Sequence, residues 1–382
     1  MKIPDILTSL FNNCYGSLVK IVQVIARDNR GGTARWLEQL VIGLRANGHE
    51  VLLLAGSVQE GESEDLSFKK LGGIRVPGLG RKISLTSDLQ AFFFLRKFIK
   101  STNPDILNTH TAKAGLIGRL AALSLFFNRP KIVHTFHGHL LYGYFSNKVT
   151  KLIIIIERIL ASKTDLLLAA GEQVRDDLIK VGIGSDKKFQ VMRPGIPPFN
   201  LIGKTEAKKN LGIDQNVIVI GWLGRLTSIK RPDRVLEIAK LFPNQIFLIG
   251  GEGELRKDLE EVATLNVKFL GWTSPEIIWS TSDVALLTSE NEAQPISLIE
   301  ASFASLPIVT QDVGSVDEVV LNNKTGFLVD NLNGFQEKLN YLIANDSIRL
   351  EMGTAAKKFS EERFGVVQFI NGHEAAYSAF FQ

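Results

Sequence analysis

The chain has 382 residues, 45% of them hydrophobic and 22% charged, which is typical of a globular protein with two domains and excludes a disordered or fibrous chain. One cysteine, Cys14, excludes an internal disulfide framework and favours a reducing compartment. The net charge of +4 combines a basic half, residues 1–200, which has 27 Lys and Arg against 16 Asp and Glu, with an acidic remainder, which has 17 against 24.

Apolar strands alternate with amphipathic helices in the first half. Residues 1–18 show no clear period, and we interpret them as an N-terminal extension. The strands predicted after them are residues 19–26, 51–55, 105–108, 131–136, 165–169 and 189–192. A first helix is expected to begin with Thr33 as its cap and to end at Gly48, and the helices predicted next are residues 88–100, 113–125 and 150–162.

Three prolines within residues 194–200 predict a stiff linker, after which the alternation starts again. The predicted strands are residues 217–223, 245–249, 267–270, 283–287, 307–310 and 326–329. The predicted helices are residues 232–241, 254–265 and 295–304, followed by a mostly helical tail from residue 332. Uniformly apolar strands between amphipathic helices indicate parallel sheets that are covered on both faces. The sequence therefore predicts an α/β protein with two Rossmann-like, doubly wound domains facing a cleft.

Charged side chains follow the predicted strands of the second half. Arg225 and Lys230 come after the strand 217–223, and two cations there can hold a diphosphate. Glu292 and Glu300 come after the strand 283–287, and carboxylates can bind sugar hydroxyls. Ligands of open parallel sheets gather beyond the carboxyl ends of the strands, so these groups are expected to meet. The alternative for the two cations is a salt bridge at the start of a helix, to Asp233 or Glu237.

Pro295 is expected at the first position of the helix that carries Glu300. The free backbone N–H groups of Ile296, Ser297 and Leu298 can then bind a phosphate through the helix dipole. Glu300 can accept hydrogen bonds from a ribose diol. The alternative for both Glu292 and Glu300 is an ordinary solvated carboxylate.

Glycines and histidines carry the candidates of the first half. The loop Gly31-Gly32-Thr33 lets a ligand approach the backbone closely, although such pairs are common. His110 and His137 lie at the ends of predicted strands, and His137 can donate to a sugar hydroxyl or a phosphate oxygen. His134 and His139 are interpreted as packing or capping residues. No cysteine accompanies these histidines, so we expect no metal site.

A further glycine segment, Gly250-Gly251-Glu252-Gly253-Glu254, is similar to the start of a dinucleotide fingerprint. Its third glycine is missing because Arg256 occupies that place. The sequence therefore disfavours NAD as a cofactor.

From about Lys20 onwards the chain resembles the family-4 retaining glycosyltransferases, which have the GT-B fold. The resemblance rests on segments that occur in the family's order: Gly31-Gly32-Thr33, 104–110 with Lys113 to Arg119, 134–139, Glu157-Arg158, Thr164-Asp165, Gly224-Arg225-Leu226 with Lys230, 250–254, and Glu292 to Glu300. The most specific feature is the pair of glutamates with seven residues between them. Two positions depart from the family pattern near this pair, since Ala293 replaces a usual glycine and Gln294 precedes Pro295. Further on, Ser315 and Asp317 replace a common glycine and proline. The methyl group of Ala293 narrows the sugar end of the expected pocket and so concerns the identity of the donor sugar.

The resemblance implies an N-terminal acceptor domain (19–197), a C-terminal donor domain (198–365) and a final helix (366–382) that crosses back onto the N-terminal domain. It implies that Arg225 and Lys230 hold the diphosphate, Glu300 the ribose, and Glu292 the donor sugar, with His137 facing that sugar. The remaining predicted donor contacts are Gly32, Gly251, Ala293, Ile296, Ser297 and Leu298. The acceptor-side candidates are His110, Lys113 and His139. Neither a metal nor a cofactor is implied, since the nucleotide-sugar is a co-substrate.

The sequence favours an enzyme that moves a hexose or N-acetylhexosamine from a nucleotide-sugar, with UDP favoured, to a lipid-linked or polysaccharide acceptor. A UDP-sugar epimerase of similar fold is the alternative, and a non-catalytic sugar-nucleotide-binding protein is a third hypothesis. The basic half predicts peripheral contact with an anionic membrane, with an ordinary solvated surface that has no partner as the alternative, while nucleic acid is not expected as a partner. The N-terminus lacks a basic segment followed by an apolar stretch, and the apolar runs are too short to span a bilayer. We therefore expect a cytoplasmic protein at the inner face of the membrane.

Overall fold

The computed structural model describes residues 18–59, 62–138 and 146–382, and these form two α/β units. One unit comprises the described residues up to Gly195 together with Val366–Gln382. The other unit is the continuous segment Ile196–Gly365. The chain therefore leaves the first unit and returns to it for its last helix.

The first unit contains a parallel sheet of seven strands in the order β3-β2-β1-β4-β5-β6-β7. Its strands are β1 Lys20–Ile25, β2 Glu50–Ala55, β3 Ile74–Arg75, β4 Ile106–His110, β5 Lys131–Phe136, β6 Leu166–Ala169 and β7 Phe189–Val191. Its helices are α1 Gly32–Ala46, α2 Leu66–Lys70, α3 Leu85–Thr102, α4 Ala112–Leu123, α5 Asn147–Lys163, α6 Glu172–Lys180 and, from the end of the chain, α14 Val366–Ser378.

Strand β1 shows why the strands of this sheet have nearly continuous apolar sequences. Ile21 and Ile25 point into the core that α1 and α14 cover, whereas Val22 and Val24 point into the core that α3 and α4 cover. Both faces of the strand are therefore buried. Gln23 is the exception, since a fully buried amide in this strand requires hydrogen-bond partners.

The second unit contains a parallel sheet of six strands in the order β10-β9-β8-β11-β12-β13. Its strands are β8 Val219–Leu223, β9 Ile246–Gly250, β10 Val267–Gly271, β11 Val284–Leu287, β12 Ile308–Gln311 and β13 Gly326–Val329. Its helices are α7 Lys204–Asn210, α8 Pro232–Lys240, α9 Arg256–Val262, α10 Pro275–Thr281, α11 Ile296–Phe303, α12 Leu332–Ala344 and α13 Asp346–Arg363. Two apolar clusters, one on each face of the sheet, form its core.

The predicted strands agree with the observed ones to within two residues at each end. Five elements were missed: β3, α2, α6, α7 and α10. Helix α6 buries only Val174 and Leu178, so its apolar period is too short to recognise. Helix α10 has a start signal in Pro275, which directly follows the N-cap Ser274, but its 7 residues are too few to show an apolar period. Within the described ranges, no helix is both long and apolar enough to cross a bilayer.

Candidate functional site

The strand order of the second unit reverses between β8 and β11, which are neighbours in the sheet. The connections before that point run to one edge of the sheet, and those after it run to the other. A crevice therefore opens beyond the carboxyl ends of β8 and β11, where doubly wound folds bind their ligands. The loops that follow these two strands carry Arg225, Lys230 and Glu292, and helix α11 follows directly after the second loop.

Lys230 and Glu292 contact each other across these two loops. The Nζ atom of Lys230 donates to Oε1 of Glu292 at 2.5 Å, and the hydroxyl of Ser289 donates to the same oxygen at 2.6 Å. The Glu292 side chain is 8% exposed and that of Lys230 is 24% exposed. The site thus brings together a cation and a carboxylate that are 62 positions apart in the sequence.

The alternative salt bridge to Asp233 is not the one observed. Asp233 pairs instead with Arg231, with 2.7 Å between Nη2 and Oδ2, and Arg231 also binds Glu290 at 2.6 Å. Arg231 is the N-cap of α8, so its guanidinium is close enough to reach Asp233 in the first helical turn. Because Asp233 is paired with Arg231, Lys230 pairs with Glu292 instead.

Arg225 lies in the loop after β8, and its side chain is exposed. Among the described residues its guanidinium has no ion-pair partner. The loop itself is fixed by the neighbouring glycine segment, because the N–H of Gly224 donates to the carbonyl of Gly250 at 3.0 Å and that of Leu226 to Glu252 at 2.9 Å. A Cβ atom on Gly251 would lie 1.9 Å from the carbonyl oxygen of Gly224. The absence of a side chain at Gly251 therefore allows its backbone to contact the backbone of Gly224, next to Arg225.

Helix α11 begins one residue later than expected. Pro295 is its N-cap rather than its first helical residue, with φ −72° and ψ 97°. The N–H of Leu298 donates to the Pro295 carbonyl at 3.0 Å, so the prediction that it is free for a phosphate is wrong. Ile296 and Ser297 remain as candidate donors. Glu300 follows one turn into the helix and is 3% exposed.

The backbone of Glu292 is held from a third loop. The N–H of Ser315 donates to the Glu292 carbonyl at 3.0 Å, and a Cβ atom on Gly314 would lie 1.9 Å from that oxygen. Gly314 has φ +55°, a conformation that favours glycine. Ala293, next to Glu292, is partly buried in the same loop.

In the first unit the strand order also reverses, between β1 and β4, and two predicted histidines meet at the carboxyl ends of β4 and β5. His110 is the last residue of β4 and is fully buried. Its Nδ1 atom lies 2.9 Å from Nε2 of His137, and its Nε2 atom lies 2.7 Å from Oε1 of Gln23. The His137 ring also packs edge-on against Trp36, with 4.9 Å between the ring centroids.

This histidine pair connects to the last helix. The hydroxyl of Tyr377 accepts from the amides of Asn108, at 2.9 Å, and of Gln23, at 3.4 Å. Burial lowers the pKa of His137 to about 3 and that of His110 well below its ordinary value, so both rings are neutral at pH 7. Sequence reasoning missed Gln23 and Tyr377, although a glutamine inside an apolar strand was a visible signal for the first.

The other predicted residues of the first unit have structural contacts. Helix α1 begins at Gly32 with Gly31 as its N-cap, so the prediction of Thr33 as the cap is wrong; Thr33 lies in the first turn. Lys113 pairs with Asp88 at 2.6 Å and binds the Lys82 carbonyl, which ties α4 to the start of α3. His134 packs against Phe136 and bonds Thr109 at 2.9 Å. His139 lies outside the described residues.

Within the described part of the chain, no group of three or more His, Cys, Asp and Glu side chains is arranged to hold a metal ion.

Asp28, which sequence reasoning also missed, follows β1 and is 3% exposed. Burial, with Asp65 nearby, raises the pKa of Asp28 to about 7. Its signal in the sequence was only its position at a strand end.

Two family descriptions match the two halves of the chain. Residues 30–198 match Glycosyltransferase Family 4, and residues 203–359 match Glycosyl transferases group 1. Among curated proteins, the chain is 32% identical over 287 residues to the Escherichia coli UDP-Gal:alpha-D-GlcNAc-diphosphoundecaprenol alpha-1,3-galactosyltransferase, which covers 70% of this chain and 73% of that protein. It is 26% identical to the capsular polysaccharide biosynthesis glycosyltransferase CapM of Staphylococcus aureus, over 78% of this chain and 83% of that protein.

Solved structures share the fold. Anabaena HepE in complex with UDP superimposes with a TM-score of 0.78 at 19% identity, covering 94% of this chain and all of that one. This similarity confirms the predicted arrangement of two doubly wound parallel sheets.

Proposed function

The chain belongs to the family-4 glycosyltransferases of the GT-B fold, and from this premise we propose that it transfers a hexose or N-acetylhexosamine from a UDP-sugar to a lipid-linked or polysaccharide acceptor in the synthesis of a cell-surface glycan. The observation that carries the proposal is the contact of Lys230 with Glu292 at the switch point of the second sheet. A cation can bind a diphosphate and a carboxylate can bind sugar hydroxyls. The two side by side therefore suit a molecule that contains both a diphosphate and a sugar.

Charge development explains the role of each residue. The departing nucleoside diphosphate gains negative charge as its bond to the sugar breaks, so fixed cations at Arg225 and Lys230 stabilise the transition state more than the ground state. Glu292, freed from part of its bond to Lys230, would accept from donor sugar hydroxyls. Glu300 would bind the ribose, and the N–H groups of Ile296 and Ser297 a phosphate.

We further propose transfer with retention of configuration and without a metal ion. In this scheme the acceptor attacks from the face that the diphosphate leaves, and a phosphate oxygen takes the acceptor's proton. In this mechanism the residues around Lys230 need only to stabilise charge and to orient the substrates, and no side chain needs to act as a nucleophile. Two protein cations can neutralise the diphosphate, a task that a divalent ion performs in other enzymes.

The names of relatives support the choice of donor and acceptor. The Escherichia coli relative acts with UDP-galactose on a sugar linked to diphosphoundecaprenol, as its name states, and the HepE structure contains UDP. A lipid-linked acceptor places the reaction at a membrane. We propose accordingly that the protein works in the cytoplasm and contacts an anionic membrane peripherally, through its basic first unit.

The test is incubation with a panel of UDP-, GDP- and ADP-sugars and synthetic polyprenyl-diphosphate sugars, with product detection by mass spectrometry. We expect one UDP-sugar to give transfer that survives EDTA, and NMR of the product to show the donor's anomeric configuration. Interconversion of a UDP-sugar without acceptor would instead favour the epimerase, and binding without turnover of any kind would favour a sugar-nucleotide-binding protein. Inversion of configuration, or loss of activity with EDTA, would contradict the corresponding part of the mechanism.

A further inference from the structure

Three neighbouring helices of the first unit turn apolar side chains towards solvent. Helices α3 and α4 share one buried apolar cluster, so they lie side by side on the sheet. Helix α4 is joined to α5 by the buried ion pair of Arg119 with Glu157, at 2.7 Å. The solvent-facing sides of the three helices are therefore adjacent.

These sides carry a group of residues that we call the apolar face. Its members on the helices are between 43% and 62% exposed: Leu89, Phe93, Leu120, Leu152, Ile155 and Ile159. The loop after α4 adds Phe126 and Phe127, which are 92% and 90% exposed. Single exposed apolar residues are normal, but a group spread over three adjacent helices marks an interaction surface.

The charge around the apolar face is almost entirely positive. Residues 81–163 contain thirteen Lys and Arg but only three Asp and Glu. Each of the three acidic side chains is already engaged: Asp88 with Lys113, Glu157 with Arg119, and Asp105 with the backbone N–H of Lys20 at 2.7 Å. Exposed lysines flank the apolar residues on α3 and α5, namely Lys97, Lys100, Lys148 and Lys151.

We propose that the apolar face is a docking surface for an anionic lipid bilayer, with Phe126 and Phe127 inserted between the headgroups. Apolar side chains beside lysines match the boundary between acyl chains and anionic headgroups. A second copy of the chain fits the face less well, because it would bring two sets of unneutralised cations together. The proposal names the residues of the membrane contact proposed above and rests on that part of the proposed function, but it does not depend on the transfer reaction.

Co-sedimentation with vesicles tests this inference. The full chain should bind vesicles of phosphatidylcholine with phosphatidylglycerol, and bind vesicles of phosphatidylcholine alone at least tenfold more weakly. The double variant F126S/F127S should lose tenfold or more in its partition coefficient for the mixed vesicles. Because both replaced side chains are exposed, we expect this variant to fold as the wild type does, and circular dichroism checks the fold. Leu265→Ser in the second unit, also fully exposed, is the matched control and should bind as the wild type does.

A second variant tests the charge, since K148Q/K151Q should weaken binding to the mixed vesicles roughly tenfold or more. The proposal would be overturned if the wild-type protein did not bind anionic vesicles, or if the F126S/F127S protein bound them as the wild type does. A dimer in sedimentation velocity that the phenylalanine variant abolishes would also overturn it, because the apolar face would then join two copies. The vesicles contain no glycosyl acceptor, so failure here leaves the proposed transfer activity untouched.

Discussion

At Lys230 the ammonium group already has a carboxylate partner, which distinguishes it from the exposed Arg225 nearby. In the proposed complex a diphosphate at Lys230 would share the ammonium group with Glu292, whereas Arg225 would bind two phosphate oxygens without giving up an ion pair among the described residues. In the proposed transfer the two cations would therefore contribute differently: Lys230 would couple the phosphate to the sugar carboxylate, and Arg225 would supply charge.

For Arg225→Ala we expect about a hundredfold lower kcat, because one charge-assisted contact to the leaving group is worth about 3 kcal/mol. The measurement is turnover of the UDP-sugar identified in the panel. Lys324→Ala, which removes an exposed cation elsewhere in the same unit, is the control and should be neutral. Unchanged turnover in well-folded Arg225→Ala protein would remove this residue from the mechanism.

The histidine pair of the first unit leads to a prediction about protonation. If the Nε2–H of His110 donates to the Gln23 carbonyl, then Nδ1 of His110 accepts from Nε2–H of His137. The remaining Nδ1 of His137 would then be an acceptor, whereas the sequence predicts that this residue donates. Tyr377 favours this orientation of Gln23 because its hydroxyl accepts from the glutamine amide.

Long-range proton–nitrogen NMR on protein with labelled histidine checks this prediction. We expect His137 to be protonated at Nε2 in the wild type and to populate both tautomers in Gln23→Leu, which removes the fixed acceptor. His49, which binds Glu374 at 2.9 Å in the same unit, is the internal control and should not change. A wild-type His137 protonated at Nδ1 would contradict the assigned direction.

At the scale of elements, the loop 250–254 acts as a support for the loop that carries Arg225. Gly251 has φ +125°, and its missing side chain lets the Gly224 carbonyl approach. The resemblance to a dinucleotide fingerprint therefore has a packing explanation within one sheet. The glycines serve the contact between the loops after β8 and β9.

Gly251→Ala should lower the free energy of unfolding by about 2 kcal/mol or more, because the added methyl group meets backbone and the conformation is strained. Urea denaturation measures this change. Gly203→Ala is the matched control, since a Cβ there has open space, and it should change stability by less than about 0.5 kcal/mol. Equal midpoints for the two variants would show that the loop can rearrange without cost.

Much of this architecture could be predicted because apolar periodicity reports burial directly. Strands such as β8 and β11 are buried on both faces, so every residue signals the element. The sequence predicted that Lys230 and Glu292 meet at one edge of the sheet, but it could not predict their direct ion pair, because that depends on two strands becoming neighbours. The same limit applies to Tyr377, whose partners Gln23 and Asn108 are at the other end of the chain.

For the whole molecule, the buried histidines make stability depend on pH. Burial lowers the pKa of His373 to about 4, and His110 and His137 shift in the same direction. In the unfolded chain they titrate near pH 6.5, so below that value the unfolded state binds protons that the folded state does not. Their contribution is complete above about pH 6.5 and is lost as the pH falls towards the folded pKa. Asp28 acts in the opposite sense, because its pKa is raised by burial to about 7.

Urea unfolding at pH 7.5 and pH 4.5 should therefore show a lower midpoint at the acidic pH. His373→Leu should reduce this difference, because the shifted pKa of that ring alone lowers the free energy of unfolding by about 3 kcal/mol between neutral pH and pH 4. Asp28→Asn should enlarge the difference, since it removes the opposing titration. Parallel pH profiles for the wild type and His373→Leu would assign the acid sensitivity to other groups.

The return of the chain to the first unit has a consequence for synthesis on the ribosome. Ile370 of α14 packs against Gly43 of α1, and Phe369 and Tyr377 belong to the same core. Translation delivers all of Ile196–Gly365 before α14 emerges, so the half that is made first is finished last. A nascent chain that stalls before Val366 has a complete second sheet, but its first sheet has one face covered by α1 without α14, and the apolar surface left exposed there is of the kind that chaperones bind.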